Sequence, residues 1–199
     1  HFTTPLTAVP SDTYARLRLT SYDTGGSLLP TGPAADGEVE DHLVTIQGHV
    51  HLEGTTQNDS VRVYPGTPGG ADHRVSINGV STYYDATVYN TLNVDGLGGT
   101  DTLNVYGKPT DETVSFNETS VQVSESIVYL VNGESFESAY VYSGGGADVA
   151  TMLGTSGNDN LYVNPTYSYL RGNSSSFLNY AKNFTSVTAD VSSGAGLDR

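Results

Sequence analysis

The sequence predicts an all-β protein: a short N-terminal β-sandwich-like segment followed by a parallel β-solenoid built from repeats. Three observations carry this expectation. Val, Thr and Tyr supply 59 of the 199 residues, while Lys, Gln and Met together supply 6, a balance that favours strands over helices. Apolar residues recur as i, i+2 doublets, among them Leu92/Val94, Leu103/Val105, Val114/Phe116, Val121/Val123 and Ala139/Val141, the alternation of short half-buried strands. Gly- and Asp-rich corners return along the chain: GTTQNDSVRV from Gly54, GKPTDETVSF from Gly107 and GTSGNDNLYV from Gly154, spaced by 53 and then 47.

Residues 1–46 read apart from the rest. An extended arm, HFTTPLTAVP, precedes a strand, TYARLRLTS; a Gly/Pro loop, GGSLLPTGPAADG, leads to a second strand, EVEDHLVTI. Both strands alternate as half-buried strands do. Residues 47–53 form a linker strand. The repeat region, 54–199, divides into three units, 54–106, 107–153 and 154–199. Shifting the chain by 47 pairs Leu92 with Ala139, Val94 with Val141, Asp101 with Asp148, Leu103 with Ala150, Val105 with Met152 and Gly107 with Gly154. Asp198, in SSGAGLD, closes a third, imperfect copy. Short strands with Gly-rich corners at such a spacing fit coils that bury their apolar faces on one another. An antiparallel sandwich is the alternative, because Asn78-Gly79 and Asn132-Gly133 favour the type I′ turn of a hairpin.

At PTGPAADGEVEDHLVTI the chain resembles the closing segment of the GEVED domain, a β-sandwich-like module of large secreted bacterial proteins. Gly37, Glu38, Val39, Glu40 and Asp41 reproduce the five letters, and Tyr14 to Leu19 resembles the strand that precedes them. GGTDTLNV, GGADVATML, GNDNLYV and QNDSVRV resemble degenerate Gly/Asp-rich repeats of hemolysin-type calcium-binding proteins. The longer unit is similar to tandem repeats of giant surface proteins from planctomycete-like bacteria. The resemblance implies an extracellular β-rich surface protein and no enzymatic activity. In calcium-binding rolls the nonapeptides run in direct tandem, whereas here strands separate them.

Composition narrows the function classes. Net charge is −14 with a pI near 4.4; such a surface repels phosphate, and no apolar run approaches the ~20 residues of a membrane helix, so nucleic-acid binding and membrane insertion fall away. The absence of Cys excludes disulfides and thiol chemistry, without deciding the redox compartment. No Gly-x-Ser-x-Gly elbow, His-Glu-x-x-His helix or phosphate loop occurs, and the basic residues Arg62, Arg74, Lys108, Arg171, Lys182 and Arg199 are scattered, so the chain is not expected to be an enzyme.

Calcium is the cofactor the corners suggest, since hard cations take several oxygen ligands and Gly-rich turns expose carbonyls beside carboxylates. The candidates are Asp59, Asp101, Asp148, Asp159 and Asp198, with Asn58, Asn158, Asp111 and Glu112 beside them. The competing role is local: Asp and Asn close turns by bonding their own backbone. His49 and His51 share a strand face with Glu53, with His42 upstream, a set suited to zinc only with further ligands. Glu38, Glu40 and Asp41 suggest either a cation site or a charged strand edge.

Tyr83, Tyr84, Tyr89, Tyr129, Tyr140, Tyr142, Tyr167, Tyr169 and Tyr180 cluster in the repeats, where they can stack on sugars, face another subunit or stack between coils. Asn58, Asn117, Asn173 and Asn183 begin N-linked glycan sequons. The chain starts at His1 without a charged-then-apolar leader and stops on a Gly-rich turn, which reads as a piece of something larger. The alternating Phe2, Thr4, Leu6 and Ala8 of the arm suit strand addition to a neighbour, and head-to-tail addition that does not close gives a filament. The expectation is a structural segment of an extracellular fibre that self-associates. A calcium-dependent adhesin or carbohydrate-binding module of a surface protein, partnered by glycans, is the alternative.

Overall fold

The computed structural model describes residues 11–18, 39–126, 128–173 and 176–191. The chain divides into two units between Gly48 and His49. In the first, β1 (Ser11–Arg18) pairs antiparallel with β2 (Val39–Ile46), Tyr14 opposite Leu43. Both side chains are exposed, as is Val44, so the alternation expected to mark half-buried strands leaves apolar groups in solvent here.

The second unit is a parallel β-solenoid of about four turns with antiparallel excursions. Its strands are β3 (Gly48–Glu53), β4 (Ser60–Tyr64), β5 (His73–Ile77), β6 (Val80–Tyr84), β7 (Tyr89–Asp95), β8 (Thr102–Tyr106), β9 (Thr113–Phe116), β10 (Ser120–Glu125), β11 (Tyr129–Glu134), β12 (Ser138–Tyr142), β13 (Val149–Leu153), β14 (Asp159–Val163), β15 (Tyr167–Gly172), β16 (Leu178–Lys182) and β17 (Ser186–Asp190). An eight-stranded sheet runs β14-β15-β16-β12-β8-β4-β5-β6 and a seven-stranded sheet runs β17-β13-β9-β10-β11-β7-β3. The continuous parallel ladder is β4, β8, β12 and β16. In the other sheet the parallel runs β9-β13-β17 and β7-β11 are joined through antiparallel β10.

Alternation on each strand places the core between the two sheets. Val61, Val63, Leu103, Val105, Ala139, Val141 and Ala181 from the eight-stranded sheet join Leu92, Val94, Val114, Phe116, Val131, Ala150 and Met152 from the seven-stranded sheet in one buried cluster. Burying each larger member is worth about 1.5–3 kcal/mol, and this shared interior holds the turns together.

Stacked neighbours follow a different offset from the repeat in sequence. Thr102 lies beside Ser60 and Ser138 beside Thr102; Val149 lies beside Thr113 and Ser186 beside Val149. Successive turns are therefore separated by 36 to 42 residues. The offset of 47 instead matches opposite sheets, Leu103 of β8 with Ala150 of β13. The likeness survives because corners leading into either sheet need the same capped turn.

The two Asn-Gly pairs part company as well. Asn78 (φ 52°) and Gly79 (φ 84°) form the two-residue loop between β5 and β6, as a type I′ hairpin requires. Asn132-Gly133 lies inside β11. A Cβ on Gly133 would stand 2.3 Å from Leu103 Cδ2, and the Asn132 amide donates to Asn93 Oδ1 at 2.8 Å while accepting from Gln122 at 3.0 Å. Core clearance and an amide ladder, not a turn, account for this pair.

Candidate functional site

Two columns of corner carboxylates tie the turns together. At the corner leading into the eight-stranded sheet, the Asp59 backbone N–H donates to Asp101 Oδ1 at 2.7 Å, and the Asp101 N–H donates to Glu137 Oε2 at 2.6 Å. Backbone bonds run beside them, Thr102 N to Asp59 O and Ser138 N to Asp101 O. At the corner leading into the seven-stranded sheet, the Glu112 N–H donates to Asp148 Oδ1 at 2.7 Å. Asp59, Asp101, Glu112, Asp148 and Asp159 are all buried.

The Gly-x4-acid corners that begin at Gly54, Gly107 and Gly154 also close on themselves. The Thr55 N–H donates to Asp59 Oδ2 at 2.6 Å, the Lys108 N–H to Glu112 Oε1 at 2.5 Å and the Thr155 N–H to Asp159 Oδ2 at 2.7 Å. The residue before the acid serves the next turn: Asn58 Oδ1 accepts from Thr100 N at 2.9 Å, and Asp111 Oδ1 from Ala147 N at 2.7 Å. The carboxylates thus do the turn-closing work of Asx residues and the charge-assisted work of satisfying buried N–H groups between coils.

Four of the five calcium candidates therefore have internal partners, and they are spread over separate corners. Among the described residues, no three His or acidic side chains converge in a set that could hold a metal ion. Asp198, Glu38 and the arm residues Phe2, Thr4, Leu6 and Ala8 lie outside the described residues. His49, His51 and Glu53 share the exposed face of β3, where His51 Nε2 approaches Glu53 Oε1 at 3.2 Å; His42 Nε2 approaches Glu40 Oε2 at 2.8 Å. The sequon residues Asn58, Asn117, Asn173 and Asn183 are all exposed.

Electrostatics distinguish the corners. Backbone bonding from Thr55, followed by the Asn78 amide, holds the Asp59 carboxyl below its ordinary value. Burial pushes Asp101 up. Burial pushes Glu112 up to about 7, with Asp148 and Glu125 adding like charge. The Tyr129 hydroxyl donates to Glu112 Oε1, while Glu112 Oε2, Glu125 Oε2 and Asp148 Oδ2 are buried without a partner. His73, fully buried, accepts the Gly66 N–H at Nδ1 and faces the Tyr89 carbonyl through Nε2; burial lowers its pKa.

The outer face of the eight-stranded sheet carries a row of tyrosines. Tyr64, Tyr106 and Tyr142 stack at 4.6 and 4.9 Å with interplanar angles of 4° and 8°; this is stacking between coils, capped by the Arg74 guanidinium 3.8 Å from the Tyr64 ring centre. Beyond β12 the regular stack breaks. Tyr180 is tilted by 53° to Tyr142 and by 48° to Tyr140. A cleft of about 620 Å³ opens there, lined by Tyr140, Tyr167, Tyr169, Tyr180, Phe177, Leu178, Glu137, Ser138 and Arg171. The sequence marked the tyrosines and Arg171 separately, and nothing in it joins Glu137, Ser138, Phe177 and Leu178 to them. Comparison with protein-family models, curated proteins and solved structures gave no match.

Proposed function

We propose that this chain is a non-enzymatic structural repeat segment of an extracellular surface protein that self-associates by strand addition at its sheet edges. The supporting observation is the character of the edges of the eight-stranded sheet. The β6 edge, Val80–Tyr84, contains no charged residue, with Val80 72% and Tyr83 62% exposed; at the opposite edge, β14, Val163 is 67% exposed. On a chain of net charge −14, β6 lacks the charge that ordinarily protects an edge strand from pairing, and β14 carries only the buried Asp159. In this reading the N-terminal arm, with Phe2, Thr4, Leu6 and Ala8, is the donor strand, the GEVED-like start adjoins it, and the partner is a second copy of the chain.

The test is electron microscopy with sedimentation of the purified chain over rising concentration. Regular fibres are expected, and Val80→Lys with Tyr83→Lys should abolish them while leaving the monomer folded. A monodisperse monomer at high concentration would sink the reading. A calcium-dependent adhesin would instead lose its ellipticity in chelator and recover it with the ion; the internal partners of the corner carboxylates do not favour that alternative.

A further inference from the structure

We propose that the cleft at the break in the tyrosine stack binds an uncharged oligosaccharide lying across the strands. Three features of the cleft point to this class of ligand.

The first is the availability of ring surface. Where Tyr64, Tyr106 and Tyr142 lie parallel, each inner ring face is covered by its neighbour. At Tyr180 the tilts of 48° to Tyr140 and 53° to Tyr142 leave these rings only partly covering one another, while Tyr167 stacks on Tyr180 at 5.4 Å and 21°; the exposed ring surface is that of the tilted contacts. Aromatic rings with polar tips present the mixed surface that the C–H face and hydroxyl rim of a pyranose require.

The second is spacing. Strand pairing puts Tyr169 opposite Tyr162 on one side and Tyr180 on the other, and Tyr180 opposite Tyr140. The aromatic row thus advances by one strand spacing, about 4.8 Å per step, a step of the same order as one sugar unit in an extended glycan. A volume near 620 Å³ falls within the range of small-molecule sites lined by aromatic groups with a few directed polar ones.

The third is charge. Arg171 and Glu137 both line the cleft. Arg171 offers a planar donor fork suited to adjacent hydroxyls, and Glu137, which already accepts the Asp101 N–H through Oε2, adds a second carboxylate oxygen as acceptor. One cation and one anion give a locally neutral site on a strongly acidic chain, which disfavours anionic polymers and matches a neutral sugar.

With no Trp, and with four of its 14 Tyr lining the cleft, the chain's tyrosine fluorescence carries a signal from the cleft, which the cleft and stack variants below assign. Dilute protein is titrated separately with cellohexaose, chitohexaose and polygalacturonate. Saturable change is expected with at least one neutral hexasaccharide, weakened about tenfold or more by Tyr180→Ala and by Arg171→Ala, and unchanged by Tyr64→Ala at the capped end of the stack. Near-ultraviolet circular dichroism checks each variant, and exposed Arg171 tests the cleft without disturbing packing. No saturable response to either neutral sugar, a response to polygalacturonate alone, or binding that survives both cleft substitutions would overturn the proposal. Because the titration uses unassembled chain, its outcome is separate from that of the fibre test.

Discussion

At the corner that begins with Gly54, Asp59 accepts the Thr55 N–H and the Asn78 amide, and its carboxyl is held below its ordinary value. At the corner that begins with Gly107, Glu112 occupies the same place in the Gly-x4-acid pattern, accepts the Lys108 N–H, and is pushed up to about 7. The difference is one methylene and the depth it reaches. The longer side chain carries its carboxyl to the Tyr129 hydroxyl and toward Asp148 and Glu125, leaving Oε2 without a partner. One turn pattern therefore supports opposite charge preferences, because desolvation and neighbours decide the pKa once the backbone bond is made.

The largest break in this comparison is expected from Asp101→Ala. It strips the acceptor from the buried Asp59 N–H and should cost about 2–4 kcal/mol, combining a charge-assisted hydrogen bond with an unsatisfied donor. Asp101→Asn keeps an acceptor oxygen in place. Since Asp101 Oδ2 has no partner and burial already disfavours its charge, the Asn variant should retain most of the wild-type stability. Urea midpoints compared across the three chains measure both effects; equal losses for Ala and Asn would show that charge, not the acceptor, holds the coils.

A second, smaller contrast is read in pH. Glu112 binds its proton more tightly when folded, so its contribution is full below its ordinary value of 4.5 and is lost as pH rises toward about 7. That loss is roughly 2–3 kcal/mol. Glu112→Gln should flatten the stability profile across this window relative to wild type. Asp59 works with the opposite sign: its contribution is present above its ordinary value of 3.8 and is lost as pH falls through its lower folded value. The stability deficit of Asp59→Asn should therefore shrink only in strong acid. A Glu112→Gln profile parallel to wild type from pH 4.5 to 7 would place the titrating group elsewhere.

Much of the fold was legible because strand alternation and corner chemistry are local. The doublets Leu103/Val105 and Val114/Phe116 mark buried faces, and Asn78-Gly79 marks its hairpin. What depends on pairing was not legible. Asn132-Gly133 looks like a turn until Leu103 is seen to need the space that Gly133 leaves. The match of Asp101 with Asp148 is a likeness of turns, not of stacked neighbours, because one accepts from Asp59 and the other from Glu112. The Glu112–Tyr129 pair spans 17 residues and requires the antiparallel return through β10. The tyrosine cleft likewise exists only because β14 and β15 fold back beside β16, which brings Tyr169 and Tyr180 together from separate stretches of sequence.

The smallest expected effect concerns the ion that the corner letters suggest. A calcium ion needs six to eight oxygen ligands converging at about 2.3–2.6 Å. Asp101 Oδ1 and Asp148 Oδ1 already accept the Asp59 and Glu112 N–H groups, and Asp159 accepts the Thr155 N–H. Recruiting these oxygens would break the bonds that close the coils, and the unpartnered Asp101 Oδ2 and Asp148 Oδ2 stand at separate corners with no set of three acidic or His side chains around either among the described residues, so coordination would compete with folding instead of driving it. The melting temperature of the chain should accordingly be the same in excess calcium and in chelator at fixed ionic strength. A rise with calcium that Asp101→Asn abolishes would mean that the corner carboxylates exchange their backbone partners for the ion, and both corners would then have to be reread as ligand turns.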